Sequence, residues 1–177
     1  MSDPYAIKLL VLDVDGVLTD GGITIDSQGV EIVKRFHVRD GLGIQLAMEQ
    51  GLKVAVLSSR LSRAVDARLR ELGVTLLMQG ARDKGAGLRA IAQQAGVDPA
   101  QAAYMGDDLL DLPAMLRCGY KITVADAAPE LRQIADYDTG QPGGHGAVRE
   151  AVEHLLKAQN KWQAVLDRFG FNAFHQA

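Results

Sequence analysis

Short apolar runs and segments of helical period alternate along almost the whole chain, and this alternation limits the folds open to it. Val, Leu and Ile fill Ile7–Val14 apart from Lys8 and Asp13. A run with so little polar alternation is expected of a strand buried on both faces. Asp40 reads as the N-cap of a helix over about Leu42–Gln50, which Gly51 ends. "KVAVLSS" is the next buried strand. "LSRAVDARLREL" is an amphipathic helix with Val65, Leu69 and Leu72 on one face, stopped by Gly73. A short strand "TLLM", a helix over about Lys84–Ala95 and a Pro-initiated turn "DPAQ" follow. "AAYMGDD" is a short strand that ends in acids. A helix from about Leu109, the strand "YKITV", the helix "PELRQIA" and a long helix Gly146–Gln159 complete the order. Strands alternating with helices imply an α/β fold of three layers, its mostly parallel sheet covered on both faces.

One excursion breaks the pattern. In "GGITIDSQGVEIVKRFHV" apolar and polar residues interleave on both sides of "DSQG", which predicts a β-hairpin within about residues 21–37, Ile23–Ile25 against Glu31–Phe36. There is no repeat, low-complexity tract or interdomain linker, so residues 1–177 are expected to form one domain. A net charge of -3 gives no electrostatic footprint for nucleic acid or an anionic membrane. Cys118 is the only cysteine, which excludes an internal disulfide and a thiolate metal cluster. "MSDPYAIK" does not read as a secretory signal, and a cytoplasmic protein is expected. The tail, about residues 160–177, holds Trp162, Phe169, Phe171 and Phe174, and so aromatic a segment is expected to dock on its own body or on a neighbour.

In a parallel sheet, ligands gather at the carboxyl ends of the strands. Asp13 and Asp15 end the first strand, Ser58 and Ser59 end "KVAVL", and Asp107 and Asp108 follow "AYMG". Clustered carboxylates repel and call for a cation. Oxygen ligands without Cys or a well-spaced His favour Mg²⁺, which completes its shell with water and substrate phosphate. Lys84, heading a helix, offers positive charge to a phosphate, and Ser58 offers a hydroxyl. Gly16 allows the chain to turn tightly after Asp15. His37 and His145 lack a ligand partner at fixed spacing and are read as structural, and "QPGGHG" is a tight loop without assigned chemistry.

Taken in order, "DVDGVLTDG", "VLSSR", Lys84 and "MGDDLLDL" resemble the four motifs of haloacid-dehalogenase-superfamily phosphatases over nearly the whole chain. The hairpin and "GGHGAVREAVEHLL" resemble one subgroup, the 3-deoxy-D-manno-octulosonate 8-phosphate (KDO 8-phosphate) phosphatases. The resemblance implies a Rossmann-like fold with no large cap domain. It also implies a cytoplasmic homotetramer built through the hairpins, and a Mg²⁺-dependent phosphatase of lipopolysaccharide precursor synthesis.

By this resemblance Asp13 is the nucleophile that forms an aspartyl-phosphate, and Asp15 is the general acid and then base. Asp13, Asp107 and the backbone carbonyl of Asp15 hold the metal, while Asp108 and Asp111 support them from behind. Ser58 and Lys84 hold phosphoryl oxygens. Substrate contacts are expected from Asp15, Ser58, Ser59, Arg60, Arg68 and Lys84, with Arg60 and Arg68 reading the sugar's carboxylate, a bidentate match for guanidinium. The family usually has Thr-Gly-Arg where this chain has Ser58-Ser59-Arg60. A side chain on Ser59 is expected to crowd the strand-to-helix turn. An uncapped site further suggests that "FGFNAF" covers a neighbour's site. Two alternatives stand beside this reading: a phosphatase of a nine-carbon ulosonate 9-phosphate, and a non-catalytic oligomerisation module of the same fold. The second is disfavoured because Asp13, Asp15, Ser58, Lys84 and Asp107 are all present.

Overall fold

The computed structural model describes residues 3–171. Its elements run β1 (Leu9–Leu12), β2 (Thr24–Ile25), β3 (Glu31–Val33), α1 (Val38–Glu49), β4 (Lys53–Leu57), α2 (Arg63–Leu72), β5 (Leu76–Met78) and α3 (Lys84–Ala95). Then come β6 (Ala102–Gly106), α4 (Leu112–Met115), β7 (Tyr120–Thr123), α5 (Pro129–Ile134), β8 (Tyr137–Asp138), α6 (Ala147–Ala158) and α7 (Trp162–Arg168). Six strands form one sheet in the order β5-β4-β1-β6-β7-β8, and every pairing in it is parallel.

The unbroken apolar character of the central strands follows from this layering. In β1, Leu10 and Leu12 enter a core formed with α1, α2, α6 and α7, while Leu9 and Val11 enter a second core with α3, α4 and α5. All four are fully buried. Successive strand residues point to opposite faces, so a strand covered on both sides has no position left for a polar side chain. Close approach of α1 to α6 depends on Gly43, where an added Cβ would stand 3.0 Å from the Cα of Arg149.

Two sequence expectations need correction. Helix α1 begins at Val38, ahead of Asp40, so Asp40 does not cap its own helix. Its buried carboxylate accepts from the backbone N–H of Arg149 at 2.8 Å and of Gly146 at 3.3 Å, capping α6. Burial raises its pKa, against those hydrogen bonds. The hairpin is shorter than expected, with Thr24 opposite Val33, Ile25 opposite Glu31 and a bulge between. The segment read as a tail opens with α7, which buries Val165 and packs Trp162 on the core of its own chain, under Arg149 and Lys157. Phe169 and Phe171 are exposed. The docking expected of "FGFNAF" falls in part on 172–174, outside the described residues. No helix among the described residues is long and apolar enough to cross a membrane.

Candidate active site

From β1 the chain steps outward to β4 and β5, then crosses to β6 on the other side of β1. The strand order therefore reverses between β1 and β6, and a crevice opens beyond their carboxyl ends. Asp13 and Asp15 follow β1, Ser58–Arg60 follow β4, and Asp107 and Asp108 follow β6. Lys84 is the first residue of α3, whose N-cap Asp83 accepts from the N–H of Ala86 at 3.0 Å. All of these functional candidates, with Asp111, line one cavity of about 240 Å³.

The turn after β1 is held by glycines. Gly16 has φ +86°, and a Cβ there would lie 2.0 Å from Oδ2 of Asp107, so only glycine lets the two acidic loops meet. The loop "QPGGHG" supports this turn from behind. Gly144 donates to the carbonyl of Val17 at 2.9 Å, and a Cβ on Gly143 would lie 1.7 Å from the carbonyl oxygen of Gly16.

Asp111 occupies the floor of the site. Its Oδ1 accepts from Lys84 Nζ at 2.5 Å and from the Tyr104 hydroxyl at 2.6 Å. Its Oδ2 accepts from the backbone N–H of Asp107 at 3.0 Å and of Asp108 at 3.3 Å. Lys84 Nζ also lies 2.8 Å from Oδ2 of Asp13. Asp108 turns its carboxylate to the N–H of Leu109, at 2.7 Å.

Carboxylate oxygens of Asp13, Asp107 and Asp111 lie within 4.8 Å of one another, with Lys84 the one ammonium paired among them within the described residues. Three negative charges against one positive charge leave a deficit that a divalent cation fills. The pKa values express that deficit. Burial first, then Asp111, push Asp13 up to about 7, although Lys84 pulls it back. Burial, then Asp111 and Asp13, push Asp107 up to about 8. Burial alone would lower Lys84, but the charges of Asp13 and Asp111 outweigh it and raise it. Both Asp111 oxygens are already engaged. Asp13 and Asp107 are therefore the side chains with capacity for an oxygen-seeking ion such as Mg²⁺.

On the opposite wall, the N–H of Arg60 donates to Oγ of Ser58 at 3.2 Å. Ser59 keeps a negative φ, since Asn160 is the only non-glycine with positive φ among the described residues. Arg60 spans two acids: its Nε is 3.7 Å from Oδ2 of Asp15, and its Nη2 is 2.6 Å from Oε2 of Glu31. Arg68 is not brought to this cavity. It pairs with Glu71 at 2.9 Å and stands over Gly41 beside α1.

Sequence reasoning missed three residues. Tyr104 had a readable signal, since a tyrosine within a fully buried strand needs a partner for its hydroxyl. Glu31 and Lys34, on the hairpin, had none. Lys34 pairs with Oδ1 of Asp15, and Glu31 receives the Ser62 hydroxyl at 3.2 Å as well as Arg60.

An acid cluster around one lysine, at the crevice of a parallel sheet, is the site of a phosphoryl-transfer hydrolase class. In keeping with this, residues 77–150 match the family described as haloacid dehalogenase-like hydrolase. The 3-deoxy-D-manno-octulosonate 8-phosphate phosphatase of Haemophilus influenzae is 44% identical over 155 residues, covering 88% of this chain and 86% of that protein. A crystal structure of the Moraxella catarrhalis phosphatase of the same name, in complex with a magnesium ion, a phosphate ion and a KDO molecule, has a TM-score of 0.90 at 42% identity, covering 94% and 95% of the two chains. The cobalt-bound Haemophilus influenzae enzyme has a TM-score of 0.87 at 44% identity, covering 89% of this chain and 92% of that one. The chain belongs to the haloacid dehalogenase-like hydrolases and, within them, to the family of the 3-deoxy-D-manno-octulosonate 8-phosphate phosphatases.

Proposed function

We propose that this chain hydrolyses KDO 8-phosphate to KDO and inorganic phosphate, with Mg²⁺, through a phosphorylated Asp13. The observation behind this reading is the charge deficit around Lys84: three converging acids, one ammonium, and two carboxylates with raised pKa values facing a cavity. Asp13, Asp107 and the backbone carbonyl of Asp15 would hold Mg²⁺, which supplies the positive charge that keeps the acids ionised and offsets the phosphoryl oxygens.

A bond forms between an Asp13 oxygen and phosphorus as the bond from phosphorus to the sugar oxygen breaks. Asp15 gives its proton to the departing alkoxide. Asp15 then takes a proton from water, whose oxygen bonds to phosphorus while the Asp13–phosphorus bond breaks. Ser58 and Lys84 hold the phosphoryl oxygens, and Tyr104, Asp111 and the backbone of Asp107 keep Lys84 in place. Arg60, lining the cavity and 43% exposed along its side chain, is the reader of the sugar's carboxylate.

We further place the reaction in the cytoplasm, supplying lipopolysaccharide precursor synthesis, and assign a homotetramer joined by hairpins. The hairpin exposes Ile23, Ile25, Val30, Ile32 and Val33, and an isolated two-stranded ribbon with such a surface gains by pairing. Two cores sharing one sheet support the reading of residues 1–177 as one domain.

The test is phosphate release from a panel of sugar phosphates, with Mg²⁺ or EDTA, for wild type and Asp13→Asn. Mg²⁺-dependent hydrolysis of the eight-carbon acid phosphate, lost in Asp13→Asn, is expected. Turnover that survives both EDTA and Asp13→Asn overturns the mechanism, and a preference for a nine-carbon acid phosphate overturns the substrate.

A further inference from the structure

The hairpin, most of whose side chains are exposed, sends one almost wholly buried charge inward. The side chain of Lys34 is 2% exposed, and its ammonium lies between Oδ1 of Asp15 and Oε1 of Glu31, the latter at 3.6 Å. A lysine seldom gives up its hydration without paired partners, and here two carboxylates supply them. The contact separates the two oxygens of Asp15. Oδ1 is held by Lys34, while Oδ2 faces Arg60 at 3.7 Å, too far for a hydrogen bond. One oxygen is anchored and the other is left for chemistry in the cavity.

We propose that Lys34 is a positioning residue of the phosphatase reaction, fixing the Asp15 carboxylate so that its free oxygen meets the leaving-group oxygen. This rests on the acid–base role proposed for Asp15. The role is geometric: Lys34 does not line the cavity and need not touch substrate. It also means that the element expected to build the oligomer orients the proton donor of its own chain.

Leaving-group dependence separates this role from mere support of the fold. A sugar alkoxide needs a proton as it departs, whereas p-nitrophenolate does not. General acid–base catalysis is worth about 10²–10⁴-fold, so displacing the acid without removing it should cost about 10- to 100-fold in kcat/KM on KDO 8-phosphate. Lys34→Met is expected to show that loss, with kcat/KM on p-nitrophenyl phosphate within about 3-fold of wild type and partial rescue by Lys34→Arg; kcat/KM is the readout because it stops at loss of the leaving group, whereas kcat includes the water attack in which Asp15 serves both substrates. Glu31→Gln, which loosens the hairpin but leaves Lys34 on Asp15, should keep the wild-type ratio of the two rates. Equal losses on both substrates, no loss on either, or the same selective loss in Glu31→Gln overturns the proposal. Asp15→Asn, compared by the same ratio of kcat/KM values, separates the two readings. If Asp15→Asn is selective and Lys34→Met is not, only the role of Lys34 falls. If Asp15→Asn is not selective, the acid–base reading falls and the role of Lys34 with it.

Discussion

Lys84 neutralises one carboxylate of the three around it, and the remainder governs how the site responds to pH. Asp13 and Asp107 have folded-state pKa values of about 7 and about 8, against 3.8 for an unperturbed aspartate. Between these limits the folded metal-free protein binds more protons than the unfolded chain, so its stability falls as pH rises from about 4 to about 8. Asp40, also raised by burial, acts in the same direction. The Mg²⁺ site proposed at these acids takes them deprotonated, so the stabilising effect of Mg²⁺ should grow over the same interval. Melting temperatures across this range, in EDTA and in saturating Mg²⁺, should diverge as pH increases; parallel curves would contradict the assignment. Gly16 offers a second test at this scale. Gly16→Ala places a methyl group 2.0 Å from Oδ2 of Asp107 on a backbone with φ +86°. Weakened Mg²⁺ binding is expected, read by titration calorimetry, together with a cost of about 1 kcal/mol or more in stability.

Among the elements, α1 and α6 depend on one another through a single side chain. Asp40 satisfies N–H groups at the start of α6 from the first turn of α1, 106 and 109 residues away in sequence. Asp40→Ala should cost about 0.5–2 kcal/mol, the range of a lost N-cap, measured by urea denaturation. The effect should extend to the loop ahead of α6, because Gly143 and Gly144 brace the turn after Asp15. The cavity wall opposite the acid cluster is built in a similar way. Neither the Glu31–Arg60 pair nor the Lys34–Asp15 pair lies within one element, and each ties the hairpin to a strand-end loop.

Across the whole molecule, no cap domain among the described residues covers the cavity, and beside it stands a hairpin with an exposed apolar surface. Exposed Ile25 and Ile32 of the hairpin are the residues whose change should report on assembly. Ile25→Lys combined with Ile32→Glu is expected to reduce the proposed tetramer to dimers or monomers in light scattering, with a native circular dichroism spectrum, since neither side chain contributes to the core. An unchanged tetramer would remove the hairpin from the interface. At this scale the sequence by itself determined a good deal. The apolar runs that end at Asp13, Ser58 and Asp107 specify parallel strands, because only a strand covered on both faces lacks polar alternation, and such strands deliver their last residues to one edge. The start of α3 at Lys84 was legible, and Asp83 caps it, whereas Asp40, the residue read as a cap, serves a different helix. What the tertiary structure alone decided are the contacts between distant segments: Asp40 capping α6, Lys34 reaching Asp15, Tyr104 meeting Asp111, and Arg68 turning to Glu71 instead of to the cavity. Local period records which face of an element is buried. It does not record which distant charge that face will meet, because the partner is chosen by packing and by the cost of leaving a buried charge alone.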